Sequence, residues 1–158
     1  MTGTKTRPGG CGPVVGATLA GRAEARQADM LHVLDTTVLI DYLRGRPAVA
    51  RVTALVDRGI RPATTVVNVE EIVRGLRAAE RDVAHRLFDG LIVLPITSEV
   101  AWRAGDWRRE HAAAGVTLWQ ADCLIAAACV TAGAPLVTGN PKDFPMPELE
   151  VIHWPVGA

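Results

Sequence analysis

Aromatic residues make up only 4% of this sequence, and its charges cancel, with 17 Lys plus Arg against 17 Asp plus Glu. No apolar stretch reaches the roughly 18 residues needed to cross a bilayer. Each absence excludes something. With few rings available, the 49% hydrophobic content is mostly Ala, Val, Leu and Ile, a composition suited to layered α/β packing. A balanced charge leaves no broad positive field, so any nucleic-acid contact has to be local. The lack of a spanning segment predicts a cytoplasmic protein with no membrane partner. Three cysteines, Cys11, Cys123 and Cys129, form neither an even disulfide set nor a C-x-x-C pair, which fits a reducing compartment. Cys123 and Cys129 fall in an apolar helix and read as small hydrophobes. The four histidines, His32, His85, His111 and His153, show no ligand spacing.

What is present is a repeating pattern. A chain of 158 residues suits one domain with one core. Residues 1–29 are rich in Gly, Ala and Thr, are broken by Pro8 and Pro13, and read as a disordered extension. Lys5 and Arg7 precede a short apolar run there, too interrupted for a signal peptide, and Met30 offers a downstream start that would remove the extension. From Leu31 the sequence predicts strand 31–35, helices 37–44 and 48–58, and a β-branched strand from Ile60 to Val67. There follow helices 69–79 and 80–90, strand 91–96, helices 98–114 and 119–132, and strands 135–138 and 149–153. Such alternation predicts an α/β domain over residues 30–154, with a central, mostly parallel sheet flanked by helices in three layers. The arginines at 74, 77, 81 and 86, and at 103, 108 and 109, read as solvated helix faces. Trp102, Trp107 and Trp119 read as packing residues.

Four acids stand out against this background. Asp35 closes the apolar pair Val33-Leu34, at the strand end where open α/β sheets bind ligands, although Asp before Thr36-Thr37 is also a good helix cap. Glu71 lies in Asn68-Val-Glu-Glu71, which matches a capping box with Asn68 as cap. It also projects about 200° round the helix from Val69, away from an apolar face of Val69, Ile72, Val73 and Leu76, towards solvent or a cleft. Asp122 sits in the first turn of LWQADCLIAAACVTAGA, apolar all round and so deeply buried, where a carboxylate needs a cation or an Arg beside it. Asp143, with Asn140, follows the strand ending Leu136-Val137-Thr138, in a segment that turn chemistry alone would explain. Strand ends and helix starts of a parallel sheet meet on one side. Two carboxylates about 5 Å apart repel by roughly 3 kcal/mol at an effective dielectric near 20. A cluster of them therefore requires a cation. Oxygen-only ligands select a hard ion, Mg²⁺ or Mn²⁺, which is the chemistry of phosphodiester cleavage.

Taken in order, VLDTTVLIDYLRG, VEEIVRG, ADCLIAAA and LVTGNPKDF resemble the PIN-domain family, specifically the VapC-type ribonuclease toxins of toxin–antitoxin modules, over residues 31 to 153. The resemblance implies a Mg²⁺-dependent endoribonuclease with Asp35 and Asp122 as main metal ligands and Glu71 completing the cluster. The family's fourth acid falls after LVT, where Asn140 holds one of its positions and Asp143 is the nearest carboxylate. Thr37 stands where Asn or Ser is frequent. The resemblance further implies a structured or single-stranded RNA substrate, commonly tRNA or ribosomal RNA, a homodimer, and a cognate antitoxin that blocks the site.

Two alternatives remain beside it. A haloacid-dehalogenase-like phosphohydrolase also places an Asp after its first strand, but it wants D-x-D, and Thr37 occupies the second position. A catalytically weak or inactive module of the same fold, acting through its antitoxin, is favoured by the altered fourth acid and disfavoured by Asp35, Glu71 and Asp122.

Overall fold

A computed structural model describes residues 30–157, and the expected extension over residues 1–29, with Cys11, lies outside the described residues. Among these described residues, five strands form one sheet: β1 (Leu31–Leu34), β2 (Arg61–Thr65), β3 (Ile92–Leu94), β4 (Leu136–Thr138) and β5 (Val151–His153). Their order is β3-β2-β1-β4-β5, and all pairings are parallel, where the sequence predicted a mostly parallel sheet. Among the described residues, six α-helices connect and cover the strands: α1 (Thr36–Leu43), α2 (Ala48–Asp57), α3 (Val66–Gly75), α4 (Arg81–Asp89), α5 (Ser98–Ala113) and α6 (Gln120–Ala132).

Strand residues alternate between two cores, as a pleated backbone requires. Val33, Ala63 and Leu136 pack with Ile125 and Cys129 of α6 and Ala104 of α5 on one face. Leu34 and Val137 pack with Val38, Leu39, Leu55 and Ile72 on the other. The result is helix, sheet, helix in three layers. Cys123 and Cys129 are free and buried in α6. Burial pushes the Cys123 thiol up to about 11, so neither chemistry nor metal binding is expected of it at neutral pH.

The strand order reverses at β1, whose neighbours are β2 and β4. In open parallel sheets a crevice opens at such a switch point, beyond the carboxyl ends of the strands. Asp35 follows β1, and Gly139 and Asn140 follow β4, so the topology sets them on the two sides of that crevice.

One boundary departs from the sequence expectation in a way that matters for the site. The β-branched run does not continue as a strand to Val67, and the next helix does not wait until residue 69. Thr65 caps α3, its hydroxyl accepting from the Asn68 amide at 3.3 Å, and Val66 and Val67 form the first helical turn. A satisfied cap here overrides the strand preference of two valines. The helix also ends at Gly75 rather than at 79, and residues 78–80 form a separate 3-10 turn before α4.

Candidate functional site

Asp35 occupies the cap position of α1, yet its side chain makes no capping hydrogen bond. It is only 6% exposed, and three side chains donate to its carboxylate instead. Thr37 Oγ1 and Thr138 Oγ1 donate to Oδ2, at 2.9 and 2.8 Å, and Asn68 Nδ2 donates to Oδ1 at 3.3 Å. The capping explanation of this acid therefore fails on geometry. A carboxylate offers about four lone-pair directions, so three donors leave about one, on Oδ1, for a further partner.

The donors are themselves held. Asn68 is fully buried in α3, and its Oδ1 accepts from the Thr65 hydroxyl at 2.7 Å and the Thr65 amide at 3.2 Å. Its Nδ2 reaches both Asp35 and Thr36 Oγ1. Asn68 is thus not the cap that the sequence pattern suggested; it answers Thr65, the actual cap, and aims its amide at Asp35. Thr138 is also fully buried, and its hydroxyl accepts from the Asn140 amide at 3.0 Å. Neither Asn68 nor Thr138 stood out as a site residue in the sequence. The available signal was a polar residue three before Glu71, and a Thr ending an otherwise apolar strand.

Glu71 lies in α3, half-buried, and its Oε2 accepts from Thr36 Oγ1. It faces a cleft rather than open solvent. The expected apolar face of this helix is corrected in part: Ile72 is buried, but Val73 is exposed. A groove of about 490 Å³ opens beside Glu71, with Ile40 and Leu43 of α1 and Ile72 and Leu76 among its lining.

Asp122 sits in the first turn of α6. The helix is buried as expected, but this carboxylate is only half-buried. No basic side chain pairs with it among the described residues, so the expected Arg is not there. Burial first, and then the charges of Asp143, Asp35 and Glu71, push its carboxyl from 3.8 up to about 6. Three acids that are remote from it in sequence therefore act on Asp122 at one place. Asp143 stands at the exposed rim, in a 3-10 turn, where the Asn140 side-chain amide donates to its Oδ2.

The donor set fits a hard divalent cation. It is all oxygen, Asp35 keeps about one free lone pair, Glu71 Oε1 is unengaged, and Asp122 carries uncompensated repulsion that a cation would relieve. Among the described residues, no three Asp, Glu, His or Cys side chains are already drawn together at metal-binding spacing. The acids stand near one another, not in contact.

The surrounding aromatics divide. Trp107 is buried in α5 and hydrogen-bonds Glu148, but Trp102 and Trp119 are 74% and 75% exposed, against the packing role expected of all three. Trp102 and Trp107 are five residues apart, about 140° round the helix, so both cannot face the core. Arg109 pairs with Asp106, and Arg103 with Glu99, as in an ordinary solvated helix face.

Replacing Asn68 with Ala is expected to act twice. Losing its bonds to Asp35, Thr36 and Thr65 leaves buried partners unsatisfied, at about 1–3 kcal/mol of stability. As an orienting partner of the expected metal ligand Asp35 it should also cost roughly 10–100-fold in activity or metal affinity. Urea denaturation and a cleavage assay check both, and unchanged activity in a folded variant would refute the orienting role.

Residues 32–145 match the PIN domain family. The chain is 30% identical over 122 residues to Ribonuclease VapC19 of Mycobacterium tuberculosis, a match covering 76% of this chain and 98% of that protein. It is 38% identical over 115 residues to Ribonuclease VapC10 of the same organism, covering 72% of this chain and 86% of that one. Its fold is similar to a toxin–antitoxin complex from Klebsiella pneumoniae, with a TM-score of 0.61 and 24% identity over 77% of this chain and 95% of that one.

Proposed function

This chain belongs to the PIN domain family, among its VapC ribonucleases, and from that premise we propose that Asp35, Glu71 and Asp122 hold a divalent metal, Mg²⁺ with Mn²⁺ as substitute, for RNA cleavage. The protein is an endoribonuclease, the toxin component of a toxin–antitoxin module. The observation that carries the metal reading is Asp122, whose carboxyl is raised by burial first and then by the charges of Asp143, Asp35 and Glu71, with no basic partner among the described residues.

When bound, such an ion activates water and steadies the leaving oxygen of a phosphodiester. The chain's own residues do the rest. Asn68, Thr37 and Thr138 fix the Asp35 carboxylate, and Thr36 fixes that of Glu71. In the metal-free protein burial and the neighbouring acids raise the Asp122 carboxyl to about 6, so an ion bound there competes with a proton below that pH. Asp143, at the rim, completes the acidic set, with Asn140 as its hydrogen-bond partner.

The substrate is RNA presented as a loop or a single strand, of the tRNA or ribosomal RNA class, and the protein acts in the cytoplasm. Trp119 precedes Asp122 by three residues and is exposed, which suits it to stack an unpaired base beside the site. A cognate antitoxin fits the groove by Glu71, where Ile40, Leu43, Ile72 and Leu76 offer apolar surface next to the acids. The exposed Trp102 on α5 offers surface to a second copy in a homodimer. No helix among the described residues is long and apolar enough to cross a membrane.

Antitoxin-free protein is expected to cut an RNA stem-loop with Mg²⁺ present and to stop on addition of EDTA. Asp143→Ala should lose less activity than Asp35→Asn, because Asp143 is exposed and Asp35 is held by three donors. Cleavage that persists in EDTA overturns the metal reading, and equal losses overturn the ranking.

A further inference from the structure

Residues 154–157 lie across the site's flank and are tied down at both ends. The Trp154 amide donates to the Thr138 carbonyl at 2.9 Å, and Arg51 donates to the Pro155 carbonyl at 2.8 Å with its guanidinium 5.8 Å from the Trp154 ring centre. The Gly157 amide donates to Asp41 Oδ1 at 3.1 Å. Asp41, buried within α1, also accepts from the Ala48 amide at 3.2 Å, so one carboxylate joins this segment to α1 and α2.

Between these ties Val156 presses on Gly139. A Cβ at Gly139 would lie 2.6 and 2.9 Å from the two Val156 methyls and 3.3 Å from Thr37 Oγ1. Gly139 is not among the positive-φ glycines, so its backbone does not demand glycine; the space does. The Gly139 amide donates to Thr37 Oγ1 at 2.9 Å, and that same hydroxyl donates to Asp35 Oδ2. Thr138, the residue before, donates to the same Oδ2 while its carbonyl receives Trp154. Two of the three donors on Asp35 are thus set by a turn that this segment holds in place.

We propose that Val156 and Gly139 are positioning residues for the catalytic site: the 154–157 segment straps the turn after β4 against Thr37 and thereby sets the Asp35 carboxylate. This rests on Asp35 being a metal ligand, as argued above. The strap's effect passes through Gly139, Thr37 and Thr138 alone.

Three variants of the full chain test it: Gly139→Ala, Val156→Ala and the two combined. Gly139→Ala should weaken Mn²⁺ binding, followed by the electron paramagnetic resonance of the free ion, by roughly tenfold or more, the scale of an outer-shell defect. Removing the Val156 methyls makes room for the new Cβ, so the double variant should bind Mn²⁺ better than Gly139→Ala alone. Loss through general destabilisation would add up instead of being rescued. Val156→Ala by itself should speed hydrogen exchange of the Gly139 amide at least about tenfold, a readout that needs no metal. Wild-type Mn²⁺ affinity in Gly139→Ala, or a double variant no better than that single one, overturns the strap. Wild-type protein that binds no Mn²⁺ refutes the metal reading instead, and the strap then stands or falls on the Gly139 amide: unchanged exchange in Val156→Ala overturns it.

Discussion

Asp35→Asn is expected to reduce RNA cleavage by more than about 100-fold while the protein remains folded. Altering even an outer-shell partner of a metal ligand typically costs 10–100-fold, and this change strikes the proposed ligand itself. The amide is nearly isosteric, but it cannot satisfy its surroundings in either orientation. The hydroxyls of Thr37 and Thr138 both donate to Oδ2 while each accepts a backbone amide, from Gly139 and Asn140, so reversing them would take away the acceptor of both hydroxyl hydrogens. With its nitrogen at the Oδ2 position, the new side chain faces those two donors. With its nitrogen at the Oδ1 position, it faces Asn68 Nδ2 and loses the remaining lone pair. A stability loss of about 1–3 kcal/mol should accompany the loss of activity. Cleavage rates and a urea melt measure the two effects. A folded variant that cuts within tenfold of wild type removes Asp35 from the site.

Asp122→Asn should abolish cleavage to a similar degree but move stability the opposite way. This carboxyl has no hydrogen-bond partner among the described residues and is raised from 3.8 to about 6 by burial and by Asp143, Asp35 and Glu71. Its folded-state value lies above its unfolded one, so its protonation stabilises the fold fully below about 3.8, and that contribution is lost as pH rises through about 6. Above pH 6 the metal-free wild type carries a penalty that the asparagine variant lacks. A shift of this size corresponds to about 3 kcal/mol for a fully buried group, and half-exposure reduces the expectation to about 1 kcal/mol. The metal-free variant should therefore be the more stable protein at pH 8, and the difference should vanish near pH 4. Added Mg²⁺ should reverse the ranking by stabilising wild type alone, with binding weakening below about pH 6 as protons compete for Asp122. Denaturation at pH 4 and pH 8, with and without Mg²⁺, checks all of this. A variant less stable than metal-free wild type at pH 8 contradicts it.

Much of the layered architecture was legible because the strongest signals were local. Val33-Leu34 ending in Asp35, and an α6 apolar on every side, state their positions within a few residues. The boundary at Thr65 was not legible, because Val66 and Val67 favour a strand and only the capping of Thr65 by Asn68 decides for helix. That error carried over to Asn68, which looked like a cap and is instead an Asp35 donor. Spacing could bring acids to one end of the sheet but could not say which strands adjoin. The hydroxyl of Thr138 therefore stayed invisible until β4 was seen beside β1. Trp102 and Trp119 are exposed against expectation because burial of an aromatic is a tendency of the residue type, whereas exposure is decided by the helix face it lands on.

The pairing of β1 with β4 also has a temporal meaning. Thr138 and Asp35 are 103 positions apart, and contacts of such separation are slow to form because a long loop must close first. On the ribosome, chain elongation at about 5–20 residues per second leaves Asp35 waiting several seconds for the strand that orients it. Throughout that interval the growing polypeptide lacks the arrangement described above, even at its end, when three of the four acids have been made. On the proposed reading, the metal-holding arrangement is thus absent from the nascent chain while it is still attached to the machinery that reads RNA.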